Sequence, residues 1–286
     1  MNVRLTLRPA TLPEGIPVDG SCLCPDRIAG LDAAAVARLP VLVGNRREAL
    51  GDLFSIEVAA GTGAHDARGA GGAAGVTLEI EGDLRRFERI GAGMTAGRLL
   101  VRGDAGDAVG SGQKGGGLRI TGAAGVRAGE GHRGGALLID GCAGDDLGAP
   151  LPGSPHGIAG GVLLARGGAG PGAARRMRRG IVVIGADCGE GAGLEMLAGT
   201  LILLGPAGPG LGALMKRGTI VAEEAFEPLP VFAPSGEGRF SFLRLYHDAL
   251  VAAGVDLPRD FADRPRRRFV GDVSGGGLGE ILTGGR

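Results

Sequence analysis

The 286-residue chain has no tryptophan, one tyrosine and eight phenylalanines. Stacking platforms for bases or sugars are therefore scarce, which argues against a reader of single-stranded nucleic acid. Thirty-one Lys and Arg balance 31 Asp and Glu, so the formal net charge is zero and no overall basic field exists to attract nucleic acid. No apolar run reaches the ~18 residues of a membrane span. The opening MNVRLTLRP lacks the apolar core of a secretory signal. The four cysteines, Cys22, Cys24, Cys142 and Cys188, include a C-x-C but no C-x-x-C. Four thiols allow two disulfides, but a long chain without a secretory signal is expected to be cytoplasmic and reduced.

Glycine is abundant instead: 60 residues, about three times the usual share. There is no strict Gly-X-Y period and only 16 prolines, which excludes collagen. The ordinary apolar content argues against disorder. What remains is a backbone that turns often and regularly.

The glycines are periodic. G-x2-G-x3-G appears at Gly103, Gly106 and Gly110, again at Gly122, Gly125 and Gly129, and again at Gly141, Gly144 and Gly148. A fourth copy has Gly167, Gly170 and Ala174; a fifth has Ala186, Gly189 and Gly193; a sixth has Gly205, Gly208 and Gly212. The period is nineteen residues, with one step of 26 across a segment containing Pro150, Pro152 and Pro155, which reads as a loop insertion. Each triplet follows a short alternating pair, such as Leu99 and Val101, Leu118 and Ile120, or Leu137 and Ile139. Alternation of period two predicts half-buried strands. Nineteen extended residues span on the order of 60 Å, enough for one closed triangular turn. The fold class expected is mainly β: a right-handed parallel β-helix of about seven turns. Leucine-rich horseshoes have a similar repeat length, but their asparagine and leucine signature is missing.

The expected organisation is an N-terminal mixed cap over residues 1–75, the β-helix over 76–224, and a C-terminal extension over 225–286. In the cap, VRLTL (3–7) predicts a strand, Asp32 an N-cap for a short helix through Arg38, and GTGAHDARGAGG (61–72) a loop. In the extension, Phe242 to Ala253 has the spacing of an amphipathic helix. The end, RRRFVGDVSGGGLGEIL (266–282), is expected to fold back along the coil.

Chemical motifs are sparse. G-x-G-x-x-G matches at Gly110–Gly115 and Gly129–Gly134, and a variant at Gly91–Ala96, invite a dinucleotide site. That fingerprint must open a helix, whereas these recur with the period and precede strand-like segments. His65, His132, His156 and His247 are scattered without zinc spacing; His132 and His156 read as solvated turn residues, and Cys142 and Cys188 as small buried corner residues. Asp140, Asp145 and Asp146, and the basic group Arg175, Arg176, Arg178 and Arg179, read as solvated faces or as contacts to a partner or to an anionic cofactor tail. Many parallel β-helices act on polysaccharides, but they need clustered carboxylates on one face and often aromatic platforms, and this coil offers almost no aromatics.

The triplet array resembles the GXGXG β-helix family, which includes the C subunit of formylmethanofuran dehydrogenase and the C-terminal domain of the glutamate synthase large subunit. LPVLVGNRREALGDLFSIE (39–57) and the terminal RRRFVGDVSGGGLGEIL resemble the dehydrogenase's C subunit in particular. The resemblance implies a non-catalytic scaffold in a formyltransferase/hydrolase complex of methylotrophic one-carbon metabolism. There, formyl groups pass from tetrahydromethanopterin to a methanofuran analogue and leave as formate. It implies partners that are amidohydrolase-like, formyltransferase and dehydrogenase-subunit-B-like chains, with zinc in the amidohydrolase-like partner. No catalytic, cofactor-binding or metal residue is carried over to this chain. The alternatives are the C subunit of an archaeal molybdenum or tungsten formylmethanofuran dehydrogenase, and a freestanding glutamate-synthase-type domain.

Overall fold

The computed structural model describes residues 1–286 apart from 9–11, 13–14, 60–74, 225, 253–254, 256 and 285–286. The loop expected at 61–72 lies outside the described residues.

The alternating apolar pairs lie in the strands Thr77–Glu81, Arg98–Arg102, Gly117–Ile120, Ala136–Ile139, Arg179–Ile184 and Thr200–Leu203, and Ala159–Ala165 and Arg217–Ala222 complete the series. Each pairs in parallel with the next. They form the middle of a 13-stranded, largely parallel sheet. The register sets Leu78, Leu99, Leu118, Leu137, Leu163, Val182, Leu201 and Ile220 on one line. All eight are buried, and each contributes ~1.5–3 kcal/mol on leaving water.

Successive repeats also meet away from the sheet. Leu84, Ala105, Ala124 and Ala143 form consecutive parallel bridges, as do Ala169, Cys188 and Ala207. Elsewhere Gly129 N donates to Val109 O, and Gly148 N to Ala128 O. Two of the three triplet glycines are required by this contact, and the third by conformation. At Gly208 an added Cβ would lie 2.6 Å from the carbonyl carbon of Gly189. Gly212 sits at φ +69°, and Ala174 holds the same place in its repeat at φ +59°, a conformation that costs an L-residue about 1–2 kcal/mol.

A further line fills one interior corner: Met94, Gln113, His132, Ile158, Met177, Met196 and Met215, all fully buried. The residue after each donates to the carbonyl of the preceding member, as Lys114 N does to Met94 O and Arg133 N to Gln113 O. His132 is therefore an interior residue, not the solvated turn residue its GEGHRGG setting suggests. Its ring Nε2 lies 3.4 Å from Gly135 O. Burial pushes its pKa down from 6.5 to about 4, so the ring is neutral at pH 7.

Both chain ends extend the same sheet. Asn2–Leu7 pairs in parallel with Thr77–Glu81, and Leu278–Gly284 with Arg217–Ala222. Antiparallel strands lie outside them: Phe54–Ala59 at one end, Arg266–Gly271 and then Ala233–Gly238 at the other. The outermost strand is exposed and carries Pro234 and Glu237, residues that discourage edge-to-edge pairing. Aromatics are confined to the two flanks, with none between Phe87 and Phe226. Phe54 meets Phe87 edge-on at 5.5 Å at the first end; Phe232 and Phe269 join the core at the second.

Asp32 caps the short helix Ala33–Ala37, its carboxylate accepting from Ala35 N at 2.7 Å. The C-terminal helix runs Leu243–Ala252. Leu243 and Leu250, with Val255 and Phe261, cover Leu164, Val183, Ile202, Val221 and Leu282 on the outward face of the sheet. With both faces covered there, Thr200–Leu203 is buried at every position, whereas Gly117–Ile120 alternates. Below the helix, fully buried Arg266 donates to Glu223 Oε1 at 2.5 Å and to Phe261 O at 2.9 Å. That pair ties the final strands to the last repeat.

The close approach of repeats and the buried histidine can each be tested. Gly208→Ala should cost ~3 kcal/mol through overpacking. Gly191→Ala should cost only ~1 kcal/mol, because its Cβ would meet nothing within 4 Å at φ +67°. Urea unfolding ranks the two, and the reverse order would contradict the close-approach account. Between pH 6.5 and about 4, the unfolded chain binds a proton at His132 that the folded interior refuses. Stability should therefore fall by ~3 kcal/mol as pH drops through that window, and His132→Met should lose that component of the pH slope.

Candidate functional surface

The residues that carry chemistry are dispersed. Among the described residues, no group of three or more His, Cys, Asp or Glu is placed to hold a metal. His132 is interior. His156 is half-buried in the insertion, its backbone N–H donating to Ser154 Oγ at 3.2 Å. His247 lies on the C-terminal helix, with Nδ1 3.0 Å from Asp248 Oδ1. His65 falls outside the described residues. The thiols of Cys22, Cys24 and Cys188 are pushed up by burial to about 11, 12 and 12, and an un-ionised thiol is a poor nucleophile. Cys188 is a buried bridge residue as expected, but Cys142 is exposed, with Sγ 3.3 Å from Gly167 O. It sits on the outer side of its short strand, where Ala143 takes the inner place.

The G-x-G-x-x-G matches open strands. Gly110–Gly115 leads into Gly117–Ile120, and Gly129–Gly134 into Ala136–Ile139. No helix N-terminus follows to hold a pyrophosphate.

Charges on the outward sheet face are matched across repeats. Glu79 accepts from Arg102 and from Arg4, and chiefly the Arg102 hydrogen bond holds its carboxyl below the usual range. Asp140 lies between Arg119 at 2.9 Å and Arg166 at 3.2 Å. The basic group expected at 175–179 divides. Arg175 pairs with Asp146 at 3.4 Å, and Arg176 with Glu195 at 2.7 Å. Arg178 and Arg179 turn to another corner and are exposed. There they join Lys114, Arg133, Lys216 and Arg217, which adjacency in sequence conceals and alignment of the repeats reveals.

Several concavities flank this framework. A cleft of about 590 Å³ is lined by Ile16, Val43, Asn45, Arg46, Glu48 and Asp52, among others. A shallower groove of about 440 Å³ runs between Arg178, Arg179, Gly199, Thr200, Thr219 and Tyr246. Neither lining contains a histidine, cysteine or lysine; the polar groups are Asn45, Arg46, Glu48 and Asp52 in the first, and Arg178, Arg179, Thr200, Thr219 and Tyr246 in the second.

No family model matches the chain. It is 33% identical over 91 residues to the C subunit of the molybdenum-containing formylmethanofuran dehydrogenase 1 of Methanothermobacter marburgensis. It is 34% identical over 100 residues to the C subunit of the tungsten-containing formylmethanofuran dehydrogenase 2 of Methanothermobacter thermautotrophicus. These matches span 32% and 35% of this chain, and only 20% and 33% of those relatives. A chain in the crystal structure of the formyltransferase/hydrolase complex from Methylorubrum extorquens with methylofuran superposes with a TM-score of 0.84. It is 32% identical and covers 99% of this chain and 100% of that one. On that full-length similarity, the chain belongs to the family formed by the C subunit of formylmethanofuran dehydrogenase and its counterpart in the formyltransferase/hydrolase complex.

Proposed function

We propose that the chain is a non-catalytic scaffold subunit of a formyltransferase/hydrolase complex. The complex converts formyl-tetrahydromethanopterin, through a formyl-methanofuran analogue, to formate. The observation that carries this reading is the end-to-end similarity to a chain of the M. extorquens complex. The archaeal dehydrogenase chains match over no more than about a third of the length of either compared relative, which favours the hydrolase setting over the dehydrogenase one.

In this reading the parallel strands wind as a right-handed β-helix over residues 76–224. Residues 1–75 act as the N-terminal cap and 225–286 as the C-terminal extension. The stacked lines of inter-repeat contacts support the winding. Transferase and hydrolase chemistry, with zinc, the methanofuran analogue and tetrahydromethanopterin, belongs to partner chains of amidohydrolase-like, formyltransferase and dehydrogenase-subunit-B-like type. The site of action is the cytoplasm. No helix among the described residues is long and apolar enough to cross a membrane.

Native mass measurement of the tagged chain purified from its own host tests the proposal. Stoichiometric recovery with the partner chains and formate release by the assembly are expected. A lone, monodisperse chain would overturn the scaffold reading.

A further inference from the structure

Wherever else cations line up across the repeats, this chain sets a carboxylate between or beside them. Arg4, Glu79 and Arg102 form one such group; Arg119, Asp140 and Arg166 form another; Arg176 and Glu195 form a third. One corner departs from this rule. Lys114, Arg133, Arg178, Arg179, Lys216 and Arg217 are all exposed, and none forms an ion pair among the described residues. The carboxyl of Glu195 feels the charge of Lys216, but it is paired with Arg176 at 2.7 Å.

The row is fixed by the fold. Lys114, Arg133, Arg178 and Lys216 each donate their backbone N–H to the interior corner line of the preceding repeat, at Met94, Gln113, Ile158 and Met196. They therefore hold four of six places on one line, with Ala159 and Leu197 in the third and fifth, at the strand spacing of about 4.8 Å per repeat. From Lys114 to Lys216 the row spans about 24 Å, which an extended peptide covers with roughly seven residues. The 440 Å³ groove opens beside Arg178 and Arg179, with Gly180 and Gly199 in its wall and the Thr200 and Tyr246 hydroxyls 3.0 Å apart at its edge. It offers room for carboxylates beside the cations.

We propose that this row docks an extended acidic segment of a partner subunit. The proposal rests on the scaffold reading above and names one surface through which it works. Charge complementarity favours an acidic polypeptide over nucleic acid. Among the described residues that line the groove, Tyr246 is the one aromatic, and Phe242 meets it edge-on at 6.1 Å, so bases find no run of stacking platforms along the row.

The test uses the complex purified from its host with the full-length chain. Carbodiimide treatment joins lysine amines directly to carboxylates in contact with them. Lys114 and Lys216 are expected to cross-link to Asp or Glu within one short stretch of one partner. A second arm replaces Lys114, Arg133, Arg178 and Arg179 with Glu. These side chains are exposed and make no ion pair among the described residues, so the thermal melt should be unchanged while recovery of partners falls at least tenfold. Replacement of the same four by Gln should give an intermediate loss that deepens with added salt. An intact complex with neither lysine cross-linked to a partner, and with partner recovery unchanged by reversal, would overturn this proposal alone. Recovery of the wild-type chain without partners would overturn it together with the scaffold reading. Oligonucleotide binding that the reversal abolishes, with partners retained, would assign the row to nucleic acid and overturn it as well.

Discussion

At one corner of every repeat, two backbones approach so closely that no Cβ fits between them. Gly208 against Gly189, Gly189 against Gly170, and Gly144 against Gly125 are successive instances, with added-Cβ distances of 2.6 to 2.9 Å. The rest of the structure follows from this contact. Repeats that touch there are held in register, so the same residue types recur one above another on the other sides. Leucine, isoleucine and valine line the sheet, small alanines line the next face, and methionines fill a corner. Methionine suits that corner because an unbranched side chain fills irregular space. The chain places no aromatic residue between Phe87 and Phe226.

Stacked repeats contact only their neighbours, so the ends need covers. The chain supplies them from both directions. Its first strand and its last strand both add to the one sheet, and phenylalanines close each end. The Glu223–Arg266 pair matters for the same reason: it holds the second cover to the last repeat. The outward sheet face is then shared between the C-terminal helix and paired charges. These arrangements make a patterned exterior, and among the described residues no group of three or more His, Cys, Asp or Glu is placed to hold a metal. Full-length similarity to a chain of a multi-enzyme complex fits such an exterior.

Much of this is legible in the sequence because it is local or periodic. The glycine triplets, the apolar pairs, the Asp32 cap and the C-terminal helix each declare themselves within a few residues. Sequence misleads where a residue's environment is set by the repeats above and below it. His132 sits among glycines and charges in the chain, yet its counterpart one repeat away is Gln113, and further along the same line stand Met94 and Met177. Cys142 lies beside a corner, but strand alternation gives the inner place to Ala143. Arg175–Arg179 reads as one patch, and the turn at Met177 splits it between two corners. The pairing of Leu278–Gly284 with Arg217–Ala222 joins segments about sixty residues apart, and no periodicity announces it.

Repeats locked by backbone contacts of this kind form a rigid face before any partner arrives. Hydrogen exchange of the free full-length chain measures that rigidity. The amides that donate between repeats, such as Gly129 to Val109, Gly148 to Ala128 and Gly193 to Ala173, run along the whole stack. Slow and nearly uniform exchange of these amides is expected in the free chain, unchanged on assembly. Fast exchange in the free chain that becomes slow only in the complex would contradict a preformed face.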